Sequence, residues 1–575
     1  MTILQPLTAP NLPSADKTFR NPAGGPGKGR LFEEMKNILK YSFVLVFLSS
    51  VCATSCIQTF EPIGSSITRE QATSSNNSLE AMTGAISQYL ANSSWPNSTH
   101  TAYGYASLCF LREVWGSDMA VTESIYDNYQ LESQNQSGSA TQLHPQIIWL
   151  MYTKALALAN EIIRMYPNVD EVSESQRGYL GAAYAFRALI WLEMAQIYEF
   201  KVNKYTSKPN VVGLTIPYLH EKIDEDTARN NPRLTKAEIL EHIYKSLDVA
   251  IELLPGFESS TKTLPTLPVA YGILARAKMY EGDYDDAEDA AYAALREGSY
   301  AALTEAEWTD TKTGFNDADS QTSWMLCTRL STESSLIKNS SIINWSSWMC
   351  SETSFGYGGC VGAGAVRLCD ADLYSKIPDT DFRKKSWWPA EGVDITVPAI
   401  AATGTSKTDY KGPSYLPELA AVKFRPGGGN PNDYLVGAVT DFPMMRMEEM
   451  KFIIAECECR KGTTTTLVEI VKTRNPQYAV GSLTGDQLLY EMFLQKRIEF
   501  WGEGVMFWDY KRCPEILTVK RGYKGTNHFE GSRLNCDGLA PWYNLCINGY
   551  EADENKALKE TNNPDPSNTV DTWKE

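Results

Sequence analysis

Histidine is scarce in this 575-residue chain. The five present, His100, His144, His220, His242 and His528, are scattered, and none of the twelve cysteines forms a CxxC pair. Zinc spacing is therefore absent. Basic charge is in deficit too, with 53 Lys and Arg against 70 Asp and Glu and a formal net charge of -17. That balance disfavours nucleic acid as a partner and leaves no basic surface for a membrane. No Ser/His/Asp constellation is legible. The loop Pro426-Gly427-Gly428-Gly429 is no phosphate cradle, because neither a Lys-Ser/Thr pair nor a helix follows it. The expectation is a protein with no metal, no cofactor and no catalytic residue.

Aromatic residues are abundant instead. Fourteen Trp and 30 Tyr exceed what a core of this size needs, which suggests a stacking surface. Length allows two to four domains, or one large helical body with insertions.

The front end reads as a targeting segment. Residues 1–34 are rich in Pro and Gly without hydrophobic periodicity, and are expected to be untranslated or disordered. From Met35, Lys36 and Lys40 make a positive region, and Tyr41 to Val51 form an apolar run too short to span a bilayer. Ala53-Thr54-Ser55 then leads into Cys56, so 35–55 is the expected signal peptide.

Helical periodicity dominates 56–299. Helices are expected near Ser78 to Leu90, Ile147 to Tyr166, Tyr179 to Phe200 and Leu234 to Leu254, the last opened by a Thr235/Glu238 capping box. Tyr271 to Leu295 reads as a helix, a Gly282-Asp283 turn and a returning helix, with Tyr271 and Tyr184 as core. The acidic run from Asp283 to Asp289 lacks the Gly and terminal Glu of an EF-hand loop, so it reads as a solvated helix start. Residues 119–143 read as a long polar loop, a length uncommon unless functional. Between 300 and 442 periodicity fades into Gly, Ser, Thr and Trp with short β-like runs. Helices resume over 443–575. Cys350 with Cys360, and Cys536 with Cys546, lie in loop-like sequence and are candidate disulfides of an exported protein.

The densest motif is Glu491 to Arg512, EMFLQKRIEFWGEGVMFWDYKR. Glu499 and Glu503 are spaced to share a helix face, as the acids of a glycosidase share a cleft about 5–9 Å across. Their aromatic and cationic neighbours argue instead for buried ion pairs, with Arg497, Glu503 and Asp509 locking the last helix onto the body.

In this order, several features together resemble the SusD/RagB-type outer-membrane lipoproteins of Bacteroidetes. They are the Cys56 box, Phe186-Arg187-Ala188, Leu234-Thr235 to Leu254-Pro255, the single tetratricopeptide-like pair, Asp379 to Arg383, Asp441-Phe442-Pro443 to Glu456, and Lys496-Arg497 to Arg512. Met506 departs from the usual Arg, and Asn548 to Glu551 from the usual Ile-Pro-x-x-Glu. The resemblance implies an all-α scaffold of four tetratricopeptide-type helix pairs under an irregular, loop-rich lobe carrying short strands. It also implies a lipid anchor on Cys56 in the outer membrane, and oligosaccharide binding at the cell surface for delivery to a SusC-like TonB-dependent transporter. Some branches take peptide, and helix repeats also serve as protein-interaction scaffolds. In the family, the ligand aromatics come from the long loop and the lobe. Here those regions offer Tyr126, Asp127, Asn128 and Tyr129, then Asn344, Trp345, Trp348 and Tyr357.

Overall fold

The computed structural model describes residues 78–92, 100–124, 127–334, 345–355, 364–407 and 409–575. The expectations for the extension, the signal peptide and Cys56 lie outside these residues, as do those for Tyr126, Asn344, Tyr357 and Cys360.

A run of helices forms the scaffold. The major ones are α1 (Ser78–Asn92), α2 (Gly104–Val114), α3 (Leu143–Met165), α4 (Glu174–Tyr198), α5 (Lys236–Leu253), α6 (Leu267–Glu281) and α7 (Tyr284–Arg296). After the irregular region come α8 (Met447–Arg460), α9 (Thr465–Lys472), α10 (Gly485–Glu499) and α11 (Met506–Arg512). Sequence neighbours pack on one another: α3 on α4, α4 on α5, α5 on α6, α6 on α7, then α7 on α8. Small residues permit this. At Gly181 in α4, an added Cβ would lie 3.0 Å from the Leu253 Cβ of α5, so a larger residue would push the two helices apart.

Helix ends follow the local chemistry. The Thr235 hydroxyl accepts from the Glu238 backbone N–H, and the Glu238 carboxylate accepts from that of Thr235, which closes the capping box of α5. Asp283 caps α7 by accepting from the Asp286 N–H, while Lys278 pairs with Glu281, Asp283 and Asp286. The acidic run thus opens a helix beside its own counter-cation. Tyr271 and Tyr184 are half-buried at the helix-pair surface rather than core.

Three two-stranded antiparallel sheets are present among the described residues, two of them reaching into the lobe and the β2–β3 pair lying on the helical scaffold between α4 and α5. β1 (Met119–Val121) pairs with β5 (Arg367–Cys369), β2 (Leu214–Pro217) with β3 (Arg233–Thr235), and β4 (Trp324–Thr328) with β6 (Phe442–Arg446). The 119–143 stretch is accordingly not a free loop. It supplies β1 and a short helix, Asn128–Ser133, and buries Asp127, Tyr129 and Glu132. Cys536 and Cys546 are free and buried, which overturns the disulfide expected between them. Cys350 is likewise a buried free thiol. No helix among the described residues is long and apolar enough to cross a membrane.

Candidate functional site

The Glu491–Arg512 motif lies at the centre of a sealed charge cluster. Glu448, Glu499 and Glu503 are buried with Asp381 among Arg383, Lys423, Arg446 and Arg474, so carboxylates and cations match in number. Arg474 reaches Glu499 at 3.1 and 2.9 Å and Glu448 at 2.8 Å. Lys423 Nζ lies 2.6 Å from Glu503, and Arg383 Nη2 lies 2.6 Å from Asp381. Burial alone would raise the Glu499 carboxyl, but the Arg474 and Arg446 guanidiniums override it and hold the group well below the usual carboxylate range. A general acid needs access to substrate and a proton affinity near the working pH. Glu499 has neither.

Around that centre, Arg497 Nε donates to both Asp118 oxygens at 3.1 and 3.0 Å. Asp509 lies 2.7 Å from Lys496 and 2.8 Å from Arg512, which also clamps Glu456 at 2.7 and 2.6 Å. The Gly502-Glu503-Gly504 turn makes this arrangement possible. Gly504 has φ +68°, and a Cβ there would meet the Cys109 carbonyl oxygen at 2.5 Å.

Of the loop residues expected to hold ligand, those among the described residues are brought together in the interior. Asp127, Tyr129, Trp345 and Trp348 are at most 3% exposed. Trp348 stacks on the His100 ring at 3.7 Å with 13° between the planes. Trp345 stands edge-on to Phe442 at 5.2 Å. Pairing of β1 with β5 carries Arg367 into the same cluster, 4.7 Å over the Phe110 ring and 5.5 Å from Tyr129, with Asp127 as its ion partner. Asp127 also caps the short helix by accepting from the Tyr129 N–H, and the Tyr129 hydroxyl donates to the His100 carbonyl at 3.0 Å. Asn128 is half-buried, its backbone N–H donating to His100 Nε2 at 3.1 Å. A ring buried to this extent cannot stack on a sugar, so the assignment of Asp127, Tyr129, Trp345 and Trp348 as direct ligand contacts is corrected: they form a floor.

An aromatic that does reach the surface was not singled out from the sequence. In α10, Leu488, Leu489, Met492 and Phe493 turn inward, and Tyr490 falls off that stripe at 39% exposure. It lines an open recess of about 430 Å³ with Leu483 and Ile516 as apolar walls and Asp486, Gln487, Glu491 and Glu515 as polar ones. Lys376, held by Asp372 at 2.6 Å, donates to the Tyr490 hydroxyl at 3.2 Å and fixes the ring. An aromatic flank beside amide and carboxylate groups matches the C–H faces and hydroxyls of a sugar. The signal available in the sequence was a Tyr lying off the stripe of Leu488, Leu489, Met492 and Phe493 in the first half of the helix.

Helix pairs under a strand-braced lobe, with the charged motif locked away, define a SusD-like scaffold. Residues 73–279 match the family model described as starch-binding associating with outer membrane, and residues 432–572 match that of the SusD family. The chain belongs to the SusD/RagB-like family. Among solved structures it is similar to a SusD-like carbohydrate binding protein from Bacteroides vulgatus, at 18% identity and TM-score 0.65, covering 85% of this chain and 98% of that one. A SusD superfamily protein from Bacteroides thetaiotaomicron matches at 17% identity and TM-score 0.62, covering 85% and 100%. The surface glycan-binding protein A from Bacteroides fluxus matches at 16% identity and TM-score 0.58, covering 85% and 99%. None of the curated proteins matches the sequence.

Proposed function

We propose that this protein binds an oligosaccharide or polysaccharide at the cell surface and passes it to a SusC-like TonB-dependent outer-membrane transporter, catalysing no reaction itself. In this reading the lipid on Cys56 anchors it in the outer membrane. The family membership supports the ligand class and the location. The observation that carries the binding role is the Tyr490 recess, where an accessible ring, an amide and carboxylates meet. The Asp127–Arg367 pair and the Trp348–His100 stack serve as the rigid floor of the lobe.

One observation favours a peptide as the second reading. Asp486, Glu491 and Glu515 around Tyr490 also suit a Lys or Arg side chain, through ion pairing and a cation over the ring. Calorimetry with the full chain against a glycan panel and a set of basic peptides separates the two. Binding of a glycan, weakened at least tenfold by Tyr490→Ala, supports the first reading. Binding of the peptides alone supports the second, and silence across both panels overturns each. Co-purification of the native membrane complex tests the transporter.

A further inference from the structure

The segment 310–323, between the short helix Glu305–Thr309 and β4, is held closed against its own backbone preference. Within it Phe315 has φ +49°, and Lys262, which reaches the segment from the chain before α6, has φ +56°. Long and bulky side chains rarely adopt this left-handed region, and they persist there only where surrounding contacts over-determine the backbone.

Those contacts come from four directions. Lys262 Nζ donates to the Ala318 and Gln321 carbonyls at 2.7 and 2.8 Å. Asn316 Nδ2 donates to the Arg425 and Pro426 carbonyls at 3.1 and 2.8 Å. The Phe315 ring lies 4.6 Å from Lys423 Nζ and 5.4 Å from the Arg446 guanidinium, so it covers the buried charge cluster. Asp441, just before β6, accepts the Ala318 N–H at 2.9 Å, and its own N–H donates to the Asn316 carbonyl at 2.8 Å.

Charge around Asp441 is unbalanced. Asp317 and Asp319 of the segment lie near enough to repel its carboxylate. Arg329, at the end of β4, is shared. Its Nε lies 3.1 Å from Asp441, while Nη1 and Nη2 hold Asp319 at 2.8 and 2.9 Å. Lys262 spends its ammonium on carbonyls, and burial keeps the nearby Cys327 thiol of β4 neutral. An ionised Asp441, buried among these groups, is therefore costly. Burial above all pushes its carboxyl up to about 6. Opening the segment to water returns the group to its ordinary value of 3.8, so the closed form binds the proton more tightly. Closure is then favoured at low pH and weakens as pH rises through 6.

We propose that segment 310–323 is a pH-sensitive latch over the buried charge cluster, closed when Asp441 carries its proton and released, with Phe315 leaving Lys423 and Arg446, as Asp441 ionises. The latch does not depend on any reading of the ligand. Native-state hydrogen exchange of the full chain tests it, read by mass spectrometry in peptides covering 314–321 and corrected for the intrinsic pH dependence of exchange. Protection there should fall on the order of fiftyfold from pH 4 to pH 8. Asp441→Asn keeps an acceptor for the Ala318 N–H and removes the titration, so its protection should stay level and exceed that of the parent at pH 8. Arg329→Gln, at a partly exposed position, removes the guanidinium and should extend the loss of protection to higher pH. Equal pH slopes in the parent and Asp441→Asn, a profile unmoved by Arg329→Gln, or protection that rises with pH would overturn the latch.

Discussion

Arg446 holds Glu503 through two parallel bonds, Nε to Oε2 at 2.8 Å and Nη2 to Oε1 at 2.9 Å, across 57 residues of sequence. Bidentate geometry of this kind is strong and directional. It joins the end of β6 to the turn between α10 and α11. Glu503→Ala leaves Arg446 and Lys423 buried beside an absent partner, and should cost about 3–5 kcal/mol of stability. Urea unfolding monitored by tryptophan fluorescence measures this. Glycan affinity of the folded fraction should stay within twofold, since no group of this cluster reaches the Tyr490 recess. A large affinity loss with an intact fold would return the cluster to the functional site.

Glu113 should make the protein less stable as pH rises through neutrality. It is buried, with Asp118 nearby and the Gly504 N–H as a donor at 3.1 Å, and burial pushes its carboxyl up to about 8. Between its ordinary value of about 4.5 and 8, the folded state binds a proton that the unfolded state has released, so stability falls over that window. The loss is at most about 5 kcal/mol. Glu113→Gln should flatten the profile, matching the parent near pH 4.5 and exceeding it at pH 8.5. Denaturant titrations across that range check it; parallel profiles would refute the assignment.

The opposite sign holds at low pH. Burial favours the neutral forms of Glu456 and Glu499, but Arg512 holds Glu456 down to about 2 and Arg474 holds Glu499 well below its ordinary range. Both contribute stability that is complete above about pH 4.5 and is lost as pH falls through the folded values. Acid unfolding followed by circular dichroism should therefore set in below pH 4, and Glu456→Gln should move its midpoint upward relative to the parent.

Tyr490→Phe and Tyr490→Ala should separate the ring from the hydroxyl. The ring supplies the stacking surface, so Ala should weaken glycan binding at least tenfold and Phe by less. Neither should change melting by more than about 2 °C, because the residue is exposed and surface substitutions are usually near neutral. Trp348→Ala should behave in the reverse way. It removes a fully buried indole from the His100 stack and should cost about 3–5 kcal/mol. Differential scanning calorimetry beside ligand titration distinguishes the two patterns.

Cys536 and Cys546 should both alkylate in denaturant without prior reduction, as read by peptide mass spectrometry. In the native protein at pH 8 they should react slowly, since burial pushes each thiol up to about 12. Labelling that requires reductant would restore the bridge.

Much of the scaffold was legible in the linear order of residues because it rests on local rules. The Thr235/Glu238 box, the Gly282-Asp283 turn and the apolar periodicities of α3 to α10 act over a few residues, and the helices lie close to where those signals put them. The charged motif at Glu491–Arg512 was likewise recognisable as too aromatic to leave its ions unpaired. Which ions pair was not legible. Arg497 meets Asp118 across 379 positions and Arg367 meets Asp127 across 240, and nothing local selects those partners.

Exposure was the larger gap. Composition announced a surplus of aromatic rings, and loop context suggested that Trp345, Trp348 and Tyr129 face a ligand. Only the packing of Phe110, Phe424, Phe442 and His100 around them decided that they lie inside. The sequence by itself thus determined the helix pairs, the family and the need to neutralise the motif's charges, because each follows from short-range patterning. Tertiary structure alone decided which rings reach water, because burial depends on what distant segments bring to both faces of a ring.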